Sequence, residues 1–299
     1  MDLISIKRKY RNIHNIIIAI FIVTMIFIFI IVLNEINNRR INKQIYLSYS
    51  KQNEQAHAKE QEIIEQKRLE EEKAKKEKRP VLTEVGKANI ANLYHSDVKR
   101  VFLTFDDGPS KTVSTQILDI LKEQNIKATF FLLGSRVELY PDIVKREYDE
   151  GHFLASHGYS HVYSQIYASP QSVLDEYNKS VESIRNAIGD QEYNPHLFRF
   201  PGGYAGGKYA NVKKEANEIL KQNDIAHIDW NALTGDSAGN KTTDQFIAEL
   251  DKTVSKYNSI VVLMHDAGGK KATVEALPNI ISYFRDRGFE FDNFYSVIK

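Results

Sequence analysis

The chain has 299 residues, a formal net charge of +1 and no cysteine. That length holds one sizeable domain with attachments, and the near-neutral balance creates no field that would gather nucleic acid or an acidic partner. Without cysteine there are no disulfides and no thiolate chemistry, so histidines and carboxylates are the only strong metal ligands on offer.

Residues 1–15 carry Lys7, Arg8, Lys9 and Arg11, and residues 16–33 then form a run with no charge and a single hydroxyl, Thr24. As a helix this run matches a bilayer core of ~30 Å, and apolar residues on every face do not suit the core helix of a soluble domain. A cleaved signal peptide has a shorter apolar stretch followed by small residues. Here the run ends in Asn34-Glu35-Ile36-Asn37-Asn38, so an uncleaved transmembrane anchor is expected over 16–34. Arg39, Arg40 and Lys43 follow the run as closely as the first cluster precedes it, and charge counting leaves its orientation open.

Residues 35–80 read as a charged, helical stalk. From 52 to 79 the chain is almost entirely Glu, Lys, Gln and Ala without Gly or Pro, and Glu71–Lys75 and Glu72–Lys76 are favourable i,i+4 pairs. Ile63, Ile64 and Leu69 are too few for a sustained heptad seam. A helical spacer of ~28 residues would reach ~40 Å, and Pro80 ends it. Residues 81–98 are a linker.

From 99 to 299 strands and helices alternate. Strands are expected at 101–105, 128–133, 152–156, 197–200, 226–230, 260–265 and 289–291, with helices at 113–124, 141–150, 171–188, 209–222, 243–257 and 273–287. Such alternation implies parallel strands with right-handed crossovers, and seven strands in one layer suggest a closed or nearly closed α/β barrel. In that architecture function collects at the C-terminal strand ends. There the chain places Asp106 and Asp107, then His157-Gly158-Tyr159-Ser160-His161, then Arg199, Pro201 and Gly202, then Asp229 and Trp230, and finally His265 and Asp266.

Asp-Asp-Gly-Pro alone is ordinary turn chemistry, and a lone His pair four apart is weak. Together on one face, two imidazoles and a carboxylate form a donor set that leaves metal positions open for water. Two neighbouring carboxylates repel, and a cation or a shared proton relieves them.

Thr104–Pro109 (TFDDGP), His157–His161 (HGYSH), Arg199-Phe200-Pro201, Asp229-Trp230 and Leu263-Met264-His265 resemble the five ordered motifs of the polysaccharide deacetylase family, the NodB-homology domain of carbohydrate esterase family 4. The resemblance runs from about residue 101 to the C-terminus. It implies a distorted (β/α)7 barrel, one divalent metal ion, usually zinc with cobalt or manganese as alternatives, and removal of acetyl groups from a glycan polymer. By position, Asp107, His157 and His161 resemble the metal ligands. Asp106 resembles the general base and His265 the general acid, while Arg199 and Asp229 resemble the residues that tune them. Gly202 matches the position whose backbone N–H helps hold the oxyanion. The chain departs from the family in two places: Gly158 replaces a Ser or Thr, with Ser160 a possible substitute, and Gly202-Gly203-Tyr204 replaces an aromatic residue after the proline, so that Tyr204 is the candidate to rebuild that wall of the groove.

The expected function is removal of N-acetyl groups from peptidoglycan N-acetylglucosamine by a membrane-anchored enzyme whose domain lies outside the cell. An exopolysaccharide, chitin fragments or acetylated xylan are alternative substrates. A catalytically silent glycan-binding barrel would have lost Asp106, a metal ligand or His265, and all are present. No nucleic-acid partner is expected, and the oligomeric state is left open.

Overall fold

A computed structural model describes residues 3–239 and 242–298. The chain divides into two compact units, residues 1–74 and 75–299. Helix α1, Leu3–Lys78, accounts for every described residue of the first. Its side chains between 16 and 33 are all exposed, and by length and composition it is apolar enough to cross a membrane.

Among the described residues the second unit is built on eight strands: β1 (Arg100–Asp106), β2 (Thr129–Leu132), β3 (Phe153–Ser156), β4 (Leu197–Phe198), β5 (Ala226–His227), β6 (Ala232–Leu233), β7 (Ser259–His265) and β8 (Glu290–Asp292). They form one sheet in the order β5-β4-β3-β2-β1-β7-β6, with β8 on β1, and every ladder is parallel. β2 takes the last half of β1 and β8 the first, from Arg100 to Phe102. No ladder joins β5 to β6 among the described residues, so the barrel is open there. The alternation of the sequence therefore reads through to a distorted parallel barrel. It has one strand more than the seven expected, because two-residue β6 is too short to show any periodicity.

Helices α2 (Glu84–Ala91), α3 (Val113–Glu123), α4 (Gly134–Leu139), α5 (Pro141–Asp149), α6 (Tyr163–Ile166), α7 (Pro170–Ile188), α8 (Ala210–Gln222), α9 (Thr243–Val254), α10 (Lys271–Asp286) and α11 (Tyr295–Ile298) complete this unit. The longest crossover, α7, is bounded by local chemistry. Ser169 Oγ accepts the Ser172 N–H at 3.1 Å, Pro170 occupies the first turn, and Gly189 closes the helix at φ 67°.

Strand alternation sorts β1 into two cores. Val101, Leu103 and Phe105 join the helix-facing cluster with Ile117, Leu121, Leu277 and Ile281. Phe102 joins the lumen cluster with Phe131, Phe153 and Val261. Each such fully buried side chain contributes about 1.5–3 kcal/mol. Thr104 and Asp106 share the parity of Phe102, so the strand that anchors the core also aims Asp106 into the lumen at its C-terminal mouth.

Candidate active site

Register brings the residues together. Asp106 pairs directly with His265 across β1 and β7. Ser156 pairs with Phe198, and the Arg199 N–H donates to the Ser156 carbonyl at 3.1 Å, so His157 and Arg199 emerge side by side.

Past β1 the chain turns sharply. Asp107 adopts φ 74° and the Gly108–Pro109 peptide is cis. Gly108 admits no side chain, because a Cβ there would lie 2.1 Å from Asp266 Oδ2. The turn carries Asp107 Oδ1 to 3.3 Å from His161 Nε2 and 3.6 Å from His157 Nε2. The three donor atoms lie within 4.8 Å of one another. Among the described residues Asp107 Oδ1 is buried without a hydrogen-bond partner, a costly state for a carboxylate oxygen unless something else satisfies it.

His157 is buried, and desolvation, the dominant effect, pushes its pKa down to about 3. The neutral ring donates Nδ1–H to the Arg199 carbonyl at 2.9 Å, which leaves the Nε2 lone pair facing Asp107. A fixed tautomer of this kind is the usual second bond of a metal-bound imidazole. One carboxylate and two imidazoles, with an orphaned oxygen among them, fit a divalent cation such as zinc.

Asp106 is buried beside this trio. Burial raises its carboxyl pKa, and the charges of Arg199 and His265 together with the Arg199 hydrogen bond oppose that rise. Arg199 is itself fully buried. Its Nη1 donates to Asp106 Oδ1 at 2.8 Å and to Thr104 Oγ1 at 2.7 Å, Nη2 to the Asp229 carbonyl at 2.8 Å, and Nε to the Ile228 carbonyl at 3.2 Å. The guanidinium also lies over the Phe131 ring at 3.8 Å. A lysine could not satisfy this planar fork.

The partner of His265 is not Asp229. Asp236 Oδ1 sits 2.9 Å from His265 Nδ1, and Asp236 Oδ2 accepts the His265 backbone N–H at 2.8 Å and Thr273 Oγ1 at 3.0 Å. Burial alone would lower the His265 pKa, but the Asp236 hydrogen bond and charge, aided by Asp106 and Asp107, raise it. Burial would likewise raise Asp236, and its bonds to His265 and the charge of Lys270 bring it down instead. Asp229 accepts the Tyr204 N–H with both oxygens, at 3.1 and 2.9 Å. It fixes the loop that carries Gly202 and, through its carbonyl, Arg199. The reason is topological. β6 pairs with β7, Ala232 to Val262 and Leu233 to Leu263, and this pairing carries the residues just after β6 alongside His265. The one signal in the sequence was Thr234-Gly235-Asp236, a carboxylate beside a glycine like the Asp107-Gly108 pair.

Gly202 adopts φ 74°, and its N–H donates to no protein acceptor among the described residues, as an oxyanion donor requires. The Tyr204 ring packs, tilted, against His227 at 4.4 Å and Phe200 at 5.4 Å. The loop from His157 to His161 is held by Glu176 of α7, unforeseen from the sequence. Its carboxylate accepts the Tyr159 N–H at 2.6 Å, the Ser160 N–H at 2.7 Å and Ser160 Oγ at 2.7 Å. Gly158, at φ 87°, leaves no room for a side chain, since a Cβ would meet Ile166 Cδ1 at 2.9 Å.

These features define a carboxylate- and histidine-lined hydrolase site at the C-terminal mouth of a parallel barrel. A family model described as polysaccharide deacetylase matches residues 94–222. A peptidoglycan-N-acetylglucosamine deacetylase of Bacillus cereus is 31% identical over 217 residues, covering 71% of this chain and 75% of that one. Its counterpart from Listeria monocytogenes is 34% identical over 193 residues, which are 64% of this chain but only 37% of the longer relative. Among solved structures, a CE4 esterase of Streptococcus mutans superposes with a TM-score of 0.63 at 32% identity, over 69% of this chain and 90% of that one. The chain belongs to the polysaccharide deacetylase family.

Proposed function

We propose that this protein removes N-acetyl groups from the N-acetylglucosamine of peptidoglycan, in a metal-dependent hydrolysis carried out outside the cell by a domain on a membrane anchor. The observation that carries this reading is the orphaned Asp107 Oδ1 between two imidazoles, flanked by the Arg199-bound Asp106 and the Asp236-bound His265. The relatives named for peptidoglycan N-acetylglucosamine support the substrate.

A divalent ion held by Asp107, His157 and His161, zinc on this donor set, would polarise the acetyl carbonyl and acidify a bound water. Asp106, kept in place by Arg199, takes the proton of the attacking water. The Gly202 N–H receives the carbonyl oxygen as it gains charge, an effect worth about 3–4 kcal/mol per donor elsewhere. An amine leaves only once protonated. His265 supplies that proton from Nε2, because Nδ1 is committed to Asp236.

In this reading residues 1–15 lie in the cytoplasm, 16–34 cross the bilayer, 35–80 form the stalk and 99–299 are catalytic, while 81–98, expected as a linker, include α2 and bury Ile90 and Leu93 in the lumen cluster of the same unit. The test combines two measurements. Muropeptides from cells with and without the protein are compared by mass spectrometry, with acetyl groups expected to be retained when it is missing. Protease added to intact, wall-stripped cells is expected to remove the domain. Identical muropeptides would overturn the substrate, and a protected domain would overturn the topology.

A further inference from the structure

The two loops that flank the site meet at Tyr163 and Gly202. A Cβ built on Gly202 would lie 2.5 Å from the Tyr163 hydroxyl and 3.2 Å from its Cζ. A side chain at position 202 would therefore be strained by its φ of 74° and would have to displace the Tyr163 hydroxyl.

Tyr163 is held there from behind. Its ring is 5.7 Å from Tyr167 and 6.5 Å from Tyr209, both edge-on. The Tyr167 hydroxyl in turn donates to the Pro201 carbonyl at 2.7 Å, which ties the short helix α6 to the loop of Gly202. On its front the Tyr163 ring stands 5.5 Å from His161 and stays 40% exposed. The phenol thus lies between a metal-ligand histidine and the loop of Gly202, braced by two neighbouring rings and partly open to solvent. A braced tyrosine offers apolar area at small entropic cost together with a polar tip, the combination that suits the C–H face and hydroxyl rim of a pyranose.

We infer that Tyr163 forms the wall of the site that holds the acetylated sugar, its ring against the apolar face of the pyranose and its hydroxyl bonded to the glycan. The inference rests on the deacetylase reading above. Tyr163 takes the place that a side chain at 202 would have had, which accounts for Tyr204 being free to turn away to His227.

The experiment uses the full chain loaded with zinc and two substrates, a hexamer of N-acetylglucosamine and 4-nitrophenyl acetate, which carries no sugar. Tyr163→Phe keeps the ring and loses one hydrogen bond, so KM for the hexamer should rise about three- to tenfold. Tyr163→Ala should raise it on the order of thirtyfold, with most of the loss in KM rather than kcat. For both variants the loss on the hexamer should exceed the loss on the ester at least several-fold. If the alanine variant fails to fold, the phenylalanine variant still decides. Wild-type protein that hydrolyses the ester but no N-acetylglucosamine hexamer overturns the functional reading and the wall with it. Wild-type turnover of the hexamer with KM unchanged in both variants overturns the wall alone. A matching fall in kcat on the two substrates would also overturn it, by placing Tyr163 at the reacting acetyl group instead of the sugar.

Discussion

Glu176→Ala should loosen the metal site from the far side of the histidine loop. His161 stands at φ 57°, a left-handed conformation that costs a non-glycine residue about 1–2 kcal/mol. Glu176 opposes that cost with three bonds, two to backbone N–H groups and one to Ser160 Oγ. Hydrogen bonds to a charged group contribute about 1.5–3 kcal/mol each. The carboxylate is half-buried, so the low end applies, and the three bonds together supply about 4.5 kcal/mol of loop ordering, set against the cost of the left-handed turn. Removing it leaves the left-handed turn unsupported, and His161 should relax away from Asp107. Losing a support of this kind typically weakens metal binding 10–100-fold, or about 1.4–2.8 kcal/mol, which lies within the ordering withdrawn. The assay is chelator competition for zinc on wild type, Glu176→Gln and Glu176→Ala, followed by kcat at saturating zinc. Gln retains one acceptor and should fall between the other two, and saturating zinc should restore most of kcat. Wild-type zinc affinity in Glu176→Ala would refute the reasoning.

Three further outcomes follow from the same geometry. Asp107→Asn should lose zinc and regain activity as zinc is added, whereas Asp106→Asn should keep zinc and lose about 10²–10⁴-fold in kcat. Metal content and kcat on a glucosamine oligomer separate the two, and equal rescue of both would contradict the assignment. Because Asp236 raises the pKa of His265 against the effect of burial, and the protonated ring is the active form, the alkaline limb of kcat/KM should move to lower pH in Asp236→Asn. It should stay in place in Asp229→Asn, and a limb that moved in the second variant but not the first would restore Asp229 as the partner. Arg199→Met leaves a buried carboxylate at Asp106 without its counter-charge, at a cost of about 3–5 kcal/mol near neutral pH. Burial then favours the protonated acid, so the deficit measured by denaturant unfolding should shrink as pH falls, and a pH-independent deficit would show that the loss is one of packing.

Local pattern was enough to read seven of the eight strands and the longer helices of the barrel, though not two-residue β6 or the short helices α2, α4, α6 and α11. It also gave the carboxylate pair at the end of β1, the two histidines after β3 and the apolar run near the N-terminus. Each is written in residues a few positions apart, through periodicity, turn chemistry or length. The choice between Asp229 and Asp236 was not readable. Both lie near the end of the same segment, and the pairing of two-residue β6 with β7 decides which of them reaches His265. The choice between Tyr204 and Tyr163 as the neighbour of Gly202 was hidden for the same reason, since it depends on α6 packing across to a loop some forty residues later in the chain. The grip of Glu176 on the histidine loop joins a helix face to backbone N–H groups, which no side-chain pattern records. Chain-local physics thus determined which groups stand at the mouth of the barrel. The register between strands distant in sequence decided which of them touch, because the free energy of those contacts exists only once the sheet has closed.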